Sequence, residues 1–126
     1  MSFRTPVKQA RGLGSAGSGV RHWWMQRVTA IALIPLGIWF ATSLIGLLNA
    51  DYATAAAWLA QPFNAVMTSL LLLAMFYHSW LGVQVVVEDY VHGEAVKIAS
   101  LIVIKFAHVV LAAFGVFVVL RVAFGG

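Results

Sequence analysis

Three long apolar segments dominate this chain, and they restrict the folds open to it more than any other feature. They cover residues 28–48, 63–87 and 98–120, and each reaches the ~20 apolar residues that a transmembrane helix needs. With 62% hydrophobic and 10% charged residues, the chain has too little polar material to coat a soluble globule of its size. The sequence therefore predicts an all-α membrane protein with three transmembrane helices. Three helices bury few polar groups, so we expect a partner subunit to complete the bundle.

Basic residues are concentrated before the first apolar segment. Five of the eight Lys and Arg residues occur there: Arg4, Lys8, Arg11, Arg21 and Arg27. The positive-inside rule explains the net charge of +4 better than nucleic-acid binding does. We predict a flexible, basic cytoplasmic tail over residues 1–21 and a single transmembrane domain over residues 22–124. The loop 88–97 then lies inside as well, and the C-terminus lies outside.

The second apolar segment carries a histidine, a glycine and an acidic residue on one side. At ~100° per residue, His78, Gly82 and Asp89 fall within about 40° of one another on a helix. Gly82 removes a side chain one turn from His78, which would let a flat macrocycle or a neighbouring helix approach. A neutral imidazole is a suitable axial ligand for haem iron. The alternative is a histidine hydrogen-bonded to a neighbouring helix, and the two alternatives are about even for a histidine considered alone.

Asp89 and Tyr90 end the same segment. They follow His78 by eleven and twelve residues, which is roughly 16–18 Å along a helix at ~1.5 Å per residue. At this depth a phenol can donate a hydrogen bond to a quinone carbonyl, and a carboxylate can hold the phenol or a water chain. Anchoring at the membrane border is the alternative. From these two residues alone, anchoring is the better explanation.

The pattern His78-x3-Gly82-x6-Asp89-Tyr90 stands at the end of the second of three spans, after a basic N-terminal tail. In this the chain resembles the hydrophobic, haem b-binding membrane anchor of bacterial succinate dehydrogenase. The resemblance extends over about residues 21–120. The resemblance is specific in this motif. Elsewhere it consists of the same arrangement of transmembrane spans.

The resemblance implies roles for individual residues. It implies that His78 is the metal ligand of a haem b whose second axial ligand is a histidine of the partner subunit. It also implies that Asp89 and Tyr90 line the ubiquinone pocket, with Tyr90 as hydrogen-bond donor. Arg27 matches a basic residue that approaches the haem propionates, and His22 is an approximate match for a residue that assists it. Snorkelling at the membrane border is the alternative for Arg27.

The resemblance further implies a complex that contains four kinds of subunit. The expected partners are a cytochrome b-type anchor subunit, an iron–sulfur subunit and a flavoprotein, with FAD and the iron–sulfur clusters on those chains. Succinate oxidation would occur outside this chain, at the inner face of the bacterial cytoplasmic membrane. Alternatives are an anchor of fumarate reductase, an enzyme that uses menaquinone, and a cofactor-free structural or assembly subunit of a membrane complex.

The motif leaves two polar residues of the third segment unexplained. At ~1.5 Å per residue from Lys97, Lys105 and His108 reach roughly 12 and 16 Å into the membrane, so His108 is about as deep as His78. His108 is therefore a further candidate for cofactor binding, as a rival ligand, a propionate partner or a proton relay. A hydrogen bond to a neighbouring helix is the favoured explanation for His108, and snorkelling is favoured for Lys105. An oligomeric ion or proton channel that uses His78, Lys105 and His108 is a further alternative.

Overall fold

The computed structural model describes the backbone of residues 16–125 and the side chains of residues 19–125. This part of the chain contains four helices and no strand: α1 (Ala16–Gly46), α2 (Tyr52–Ala60), α3 (Pro62–Tyr90) and α4 (Glu94–Ala123). The predicted all-α class is confirmed. Most of the predicted basic tail lies outside the described residues. Its last part differs from the prediction, because residues 16–21 are the beginning of α1.

Three of these helices are long and apolar enough to cross a membrane: Gly19–Gly46, Pro62–Tyr90 and Glu94–Ala123. The helices α3 and α4 have 29 and 30 residues, or about 45 Å at ~1.5 Å per residue, against a hydrocarbon core of ~30 Å. They extend past the predicted spans because a helix continues through the polar residues of the interface, where the apolar pattern has already ended. Pro35 lies inside α1, and the helix runs through it.

The connection between the first two predicted spans contains the short helix α2. Asp51 is the N-cap of α2, and its carboxylate accepts a hydrogen bond from the Thr54 amide at 2.9 Å. The side-chain hydrogen bond with Thr54 lowers the pKa of Asp51 below its ordinary value. The cap is therefore present at neutral pH and is lost as the pH falls through that lowered pKa.

Polar and aromatic contacts join α2 to the spans on either side. The buried Asn64 of α3 donates through Nδ2 to the Trp58 carbonyl at 2.8 Å. The indole of Trp58 stacks on that of Trp39 in α1, with ring centroids 5.6 Å apart. The C-terminal part of α1 and the N-terminal part of α3 are thus connected through α2.

The helix α3 is central, because it packs against both α1 and α4. Gly115 allows a close approach of α4: a Cβ atom there would lie 3.2 Å from Cδ1 of Leu72. Few apolar side chains of the described residues are buried, namely Ala65, Leu81, Val87 and Val119. Most large apolar side chains are exposed on the helices, which is the distribution of a surface that meets lipid or other subunits.

Candidate functional site

His78 lies on the side of α3 that faces α1, where its ring contacts a threonine. Its Nδ1 is 2.9 Å from Oγ1 of Thr29, across the contact between the two helices. Thr29 is 7% exposed, so water does not compete strongly for its hydroxyl. Thr29 was not predicted as a site residue. It follows the polar residues His22 and Gln26 at helical spacing, but its partner on α3 could not be identified from the sequence.

The hydrogen bonds of Thr29 assign the tautomer of His78. Oγ1 of Thr29 lies 2.7 Å from the Met25 carbonyl oxygen, and two oxygens at that separation need a proton between them, which the hydroxyl supplies. The hydroxyl can then only accept from the ring, so Nδ1 of His78 carries the proton. In the neutral ring Nε2 then keeps its lone pair, and the structure gives it no hydrogen-bond partner among residues 19–125. In the part of the chain with described side chains, no three His, Asp or Glu residues are grouped so that they could hold a metal ion.

Gly82 lies in the same helix contact. A Cβ atom built at Gly82 would be 3.9 Å from Nε2 of Gln26 in α1, an ordinary van der Waals distance. Nearby, His22 donates from Nε2 to the Leu81 carbonyl at 3.1 Å. The nearest atom to the gap beside Gly82 thus belongs to a side chain of α1. A role of Gly82 toward a macrocycle, and one of His22 toward propionates, stay predictions.

Arg27 is not close to His78. Because residues of a helix are ~100° apart, Arg27 lies about 160° around α1 from Thr29, which faces α3. Its guanidinium instead lies 4.9 Å from the centre of the Trp23 ring, and its side chain is exposed. The structure therefore separates Arg27 from His78. Its role toward haem propionates stays a prediction, and it requires propionates on the side of α1 that faces away from α3.

A different arginine is near His22. Arg21 and His22 line a cavity of about 410 Å³ between the N-terminal part of α1 and the C-terminal part of α3, together with Gln84 and Glu88. Nε2 of Gln84 donates to Oε1 of Glu88 at 3.1 Å. The cavity thus combines cationic, anionic and neutral polar groups. This cavity was not predicted from the sequence, because the residues that line it come from two helices.

Asp89 and Tyr90 are the last residues of α3. Both side chains are exposed, and that of Tyr90 is 76% exposed. Neither side chain is hydrogen-bonded to another described residue. The phenol and the carboxylate are therefore accessible at the C-terminal end of α3, about 16–18 Å from His78 along the helix at ~1.5 Å per residue.

His108 differs from His78 in its hydrogen bonds. Its Nδ1 donates to the carbonyl of Ile104 at 2.8 Å, and its Nε2 therefore accepts from Ser79 of α3 at 3.0 Å. Both nitrogens are used within the chain, which leaves no lone pair for a metal in this arrangement. The contact with Ser79 is a hydrogen bond to a neighbouring helix, and a role of His108 toward a cofactor stays a prediction. Lys105 is exposed and lines a groove of about 550 Å³ with His108.

Comparison with known proteins gives one consistent result. Residues 1–119 match the family model described as the succinate dehydrogenase/fumarate reductase transmembrane subunit. The chain is 33% identical over 120 residues to the succinate dehydrogenase hydrophobic membrane anchor subunit of Rickettsia bellii, covering 94% of this chain and 96% of that one. It is 31% identical over 125 residues to the subunit of the same name from Paracoccus denitrificans, covering 99% of this chain and 96% of the relative. The subunit of Rickettsia conorii is 34% identical over 114 residues, 89% of this chain and 90% of that one.

Proposed function

This chain belongs to the succinate dehydrogenase/fumarate reductase transmembrane subunit family, and we propose that as a membrane anchor subunit it contributes a haem ligand and part of a quinone site. The match along nearly the whole chain, to relatives that carry the anchor name, is the observation that supports the anchor function. The two finer roles depend on His78 and on the pair Asp89 and Tyr90.

We propose that His78 ligates the iron of haem b through Nε2. The residues fit this group, because the proton on Nδ1 and the hydrogen bond to Thr29 leave Nε2 unprotonated and without a partner among residues 19–125. A histidine of the partner cytochrome subunit would supply the other protein ligand. Bound haem supplies a one-electron carrier inside the membrane. This chain's contribution is to hold one imidazole in the required tautomer and orientation.

We propose that Tyr90 and Asp89 form part of a ubiquinone site at the inner end of α3. The exposed phenol can donate a hydrogen bond to a quinone carbonyl, and the adjacent carboxylate can organise the water that supplies protons. The remaining surface of the site belongs to the iron–sulfur and cytochrome subunits. The same placement serves menaquinone, which has the same two carbonyl oxygens.

The succinate chemistry belongs to other chains in this proposal. FAD and the iron–sulfur clusters are on the flavoprotein and the iron–sulfur subunit, and this chain holds them at the inner face of the bacterial cytoplasmic membrane. Fumarate reductase differs in the direction of the reaction, which the residues of an anchor do not determine. A cofactor-free structural subunit is the second candidate, since His78 already has one hydrogen bond that a packing residue would also make.

Purification through an affinity tag on this chain tests the proposal. We expect a flavoprotein, an iron–sulfur protein and a second hydrophobic subunit to co-purify, and we expect the reduced-minus-oxidised spectrum to show a b-type haem. Co-purification of the three partners without a b-type spectrum would support the cofactor-free subunit. Purification with none of the three partners would contradict the anchor function itself.

We also propose that the N-terminus is cytoplasmic and the C-terminus periplasmic. The chain contains no cysteine, so single cysteines can report the side of each loop. In spheroplasts, a membrane-impermeant maleimide should label the Asn49→Cys variant directly and the His92→Cys variant only after the membrane is opened. Both positions are exposed, so labelling depends on the side of the membrane that each cysteine faces. Labelling in the reverse order would overturn this orientation.

A further inference from the structure

We propose that Thr29 is a positioning residue for His78: its hydroxyl fixes the tautomer and the orientation of the imidazole that binds the haem iron. The inference rests on the proposed ligand role of His78 and adds to it a residue of another helix. Thr29 does not contact the iron in this proposal. It acts only through the ring of His78.

The hydroxyl of Thr29 is suited to this function because its own helix fixes its direction. The proton of Oγ1 is directed to the Met25 carbonyl at 2.7 Å, with the Gln26 carbonyl at 3.1 Å. A β-branched side chain in a helix has few χ1 rotamers, and Thr29 is 7% exposed. One lone pair of Oγ1 is therefore held in a fixed position, facing α3.

The imidazole receives two constraints from this lone pair. Nδ1 of His78 lies 2.9 Å from Oγ1 and must donate to it, so the ring is in the Nδ1-protonated form. The contact also limits rotation of the ring, because turning it would leave a buried hydroxyl lone pair and an N–H without partners. Nε2 is left as the nitrogen that can bind a metal.

The hydrogen bond also affects the electronic properties of the ligand. An imidazole that donates its second N–H to an acceptor is a more basic ligand through the other nitrogen. A more basic ligand stabilises ferric relative to ferrous iron, since the oxidised ion carries the larger charge. Loss of the Thr29 hydroxyl should therefore move the reduction potential of the haem to more positive values. It should also weaken haem retention, since changes of this kind cost ~10–100-fold in metal affinity.

Three variants of the complete, membrane-extracted complex test the inference. Thr29→Val keeps the shape of the side chain and removes the hydroxyl, whereas Thr29→Ser keeps the hydroxyl. The matched control is Thr42→Val, which makes the same change on α1 at an exposed threonine whose hydroxyl is bonded only to the Trp39 carbonyl of its own helix. The measurements are the haem content per complex and the midpoint potential of the b-type centre by spectroscopic redox titration.

We expect a more positive potential and lower haem content for Thr29→Val, and values close to the unsubstituted complex for Thr29→Ser and for Thr42→Val. An unchanged potential in Thr29→Val would overturn the inference, and so would an equal shift in Thr29→Ser. If Thr29→Val does not assemble, Thr29→Cys, whose sulfur is a weaker acceptor, should shift the potential in the same direction by less. An unchanged potential in that variant would likewise overturn it.

The ligand role of His78 can be tested separately from the role of Thr29. If the haem spectrum survives in a His78→Ala complex, the iron is bound elsewhere, and the proposed function of His78 fails together with the positioning role. If haem is lost in His78→Ala while Thr29→Val keeps an unshifted potential, only the role of Thr29 fails. The spectrum of the His78 variant thus separates the two failures.

Discussion

Replacing His78 with alanine should remove most of the b-type haem from the purified complex. Nε2 of His78 has a lone pair and no partner among the described residues, and alanine has no group that can replace it as a ligand. Changing only a hydrogen-bond partner of a metal ligand lowers metal affinity by ~10–100-fold. Removal of the ligand itself should lower the affinity of the complex for haem by at least as much. The reduced-minus-oxidised absorption spectrum, normalised to the amount of complex, measures the loss.

His108→Ala provides the matched control, because His108 is the same residue type at a similar level on the neighbouring helix. Both of its nitrogens are hydrogen-bonded, to Ile104 and to Ser79, so we expect its removal to leave the haem spectrum in place. A normal haem content in His78→Ala, with a loss in His108→Ala, would assign the iron to α4 and contradict the proposed site.

The comparison of these two histidines shows what the sequence alone could and could not predict. Counting residues from the helix ends places them at one level, and the contact of His108 with Ser79, the residue after His78, agrees with this. The count could not separate a ligand from a packing residue, because that depends on which atoms of another helix lie at the ring nitrogens. In the proposed site, Thr29 and Ser79 make this difference, and both are ordinary polar residues within apolar segments.

Elsewhere in the chain, features that depend on the local sequence could be predicted, and features that depend on contacts between helices could not. The three spans were predicted from their apolar length. The helix α2 was not predicted, because its alanines resemble an apolar connection and its N-cap, Asp51, is a residue type common in loops. Arg27 and Arg21 both precede the first span. Only the structure shows that Arg21 faces the cavity with His22, since the rotation of α1 is set by its packing on α3.

Replacing Tyr90 with phenylalanine should slow quinone reduction by about 10- to 100-fold, the effect of losing a hydrogen bond to a group that becomes charged, ~1.5–3 kcal/mol. Tyr90 is 76% exposed at the end of α3, so the variant should assemble normally and keep its haem. Electron transfer from succinate to a soluble acceptor that takes electrons before the quinone should be unchanged. The ratio of the two rates is the measurement.

Tyr52→Phe is the control for this change, since Tyr52 is 75% exposed and lies at the start of α2, at the other side of the bundle. Its ratio of rates should equal that of the unsubstituted complex. Asp89→Asn should lower quinone reduction in the same direction as Tyr90→Phe if the carboxylate organises proton delivery. Equal rates with both acceptors in Tyr90→Phe would mean that the phenol only anchors the helix at the membrane border, as tyrosines commonly do.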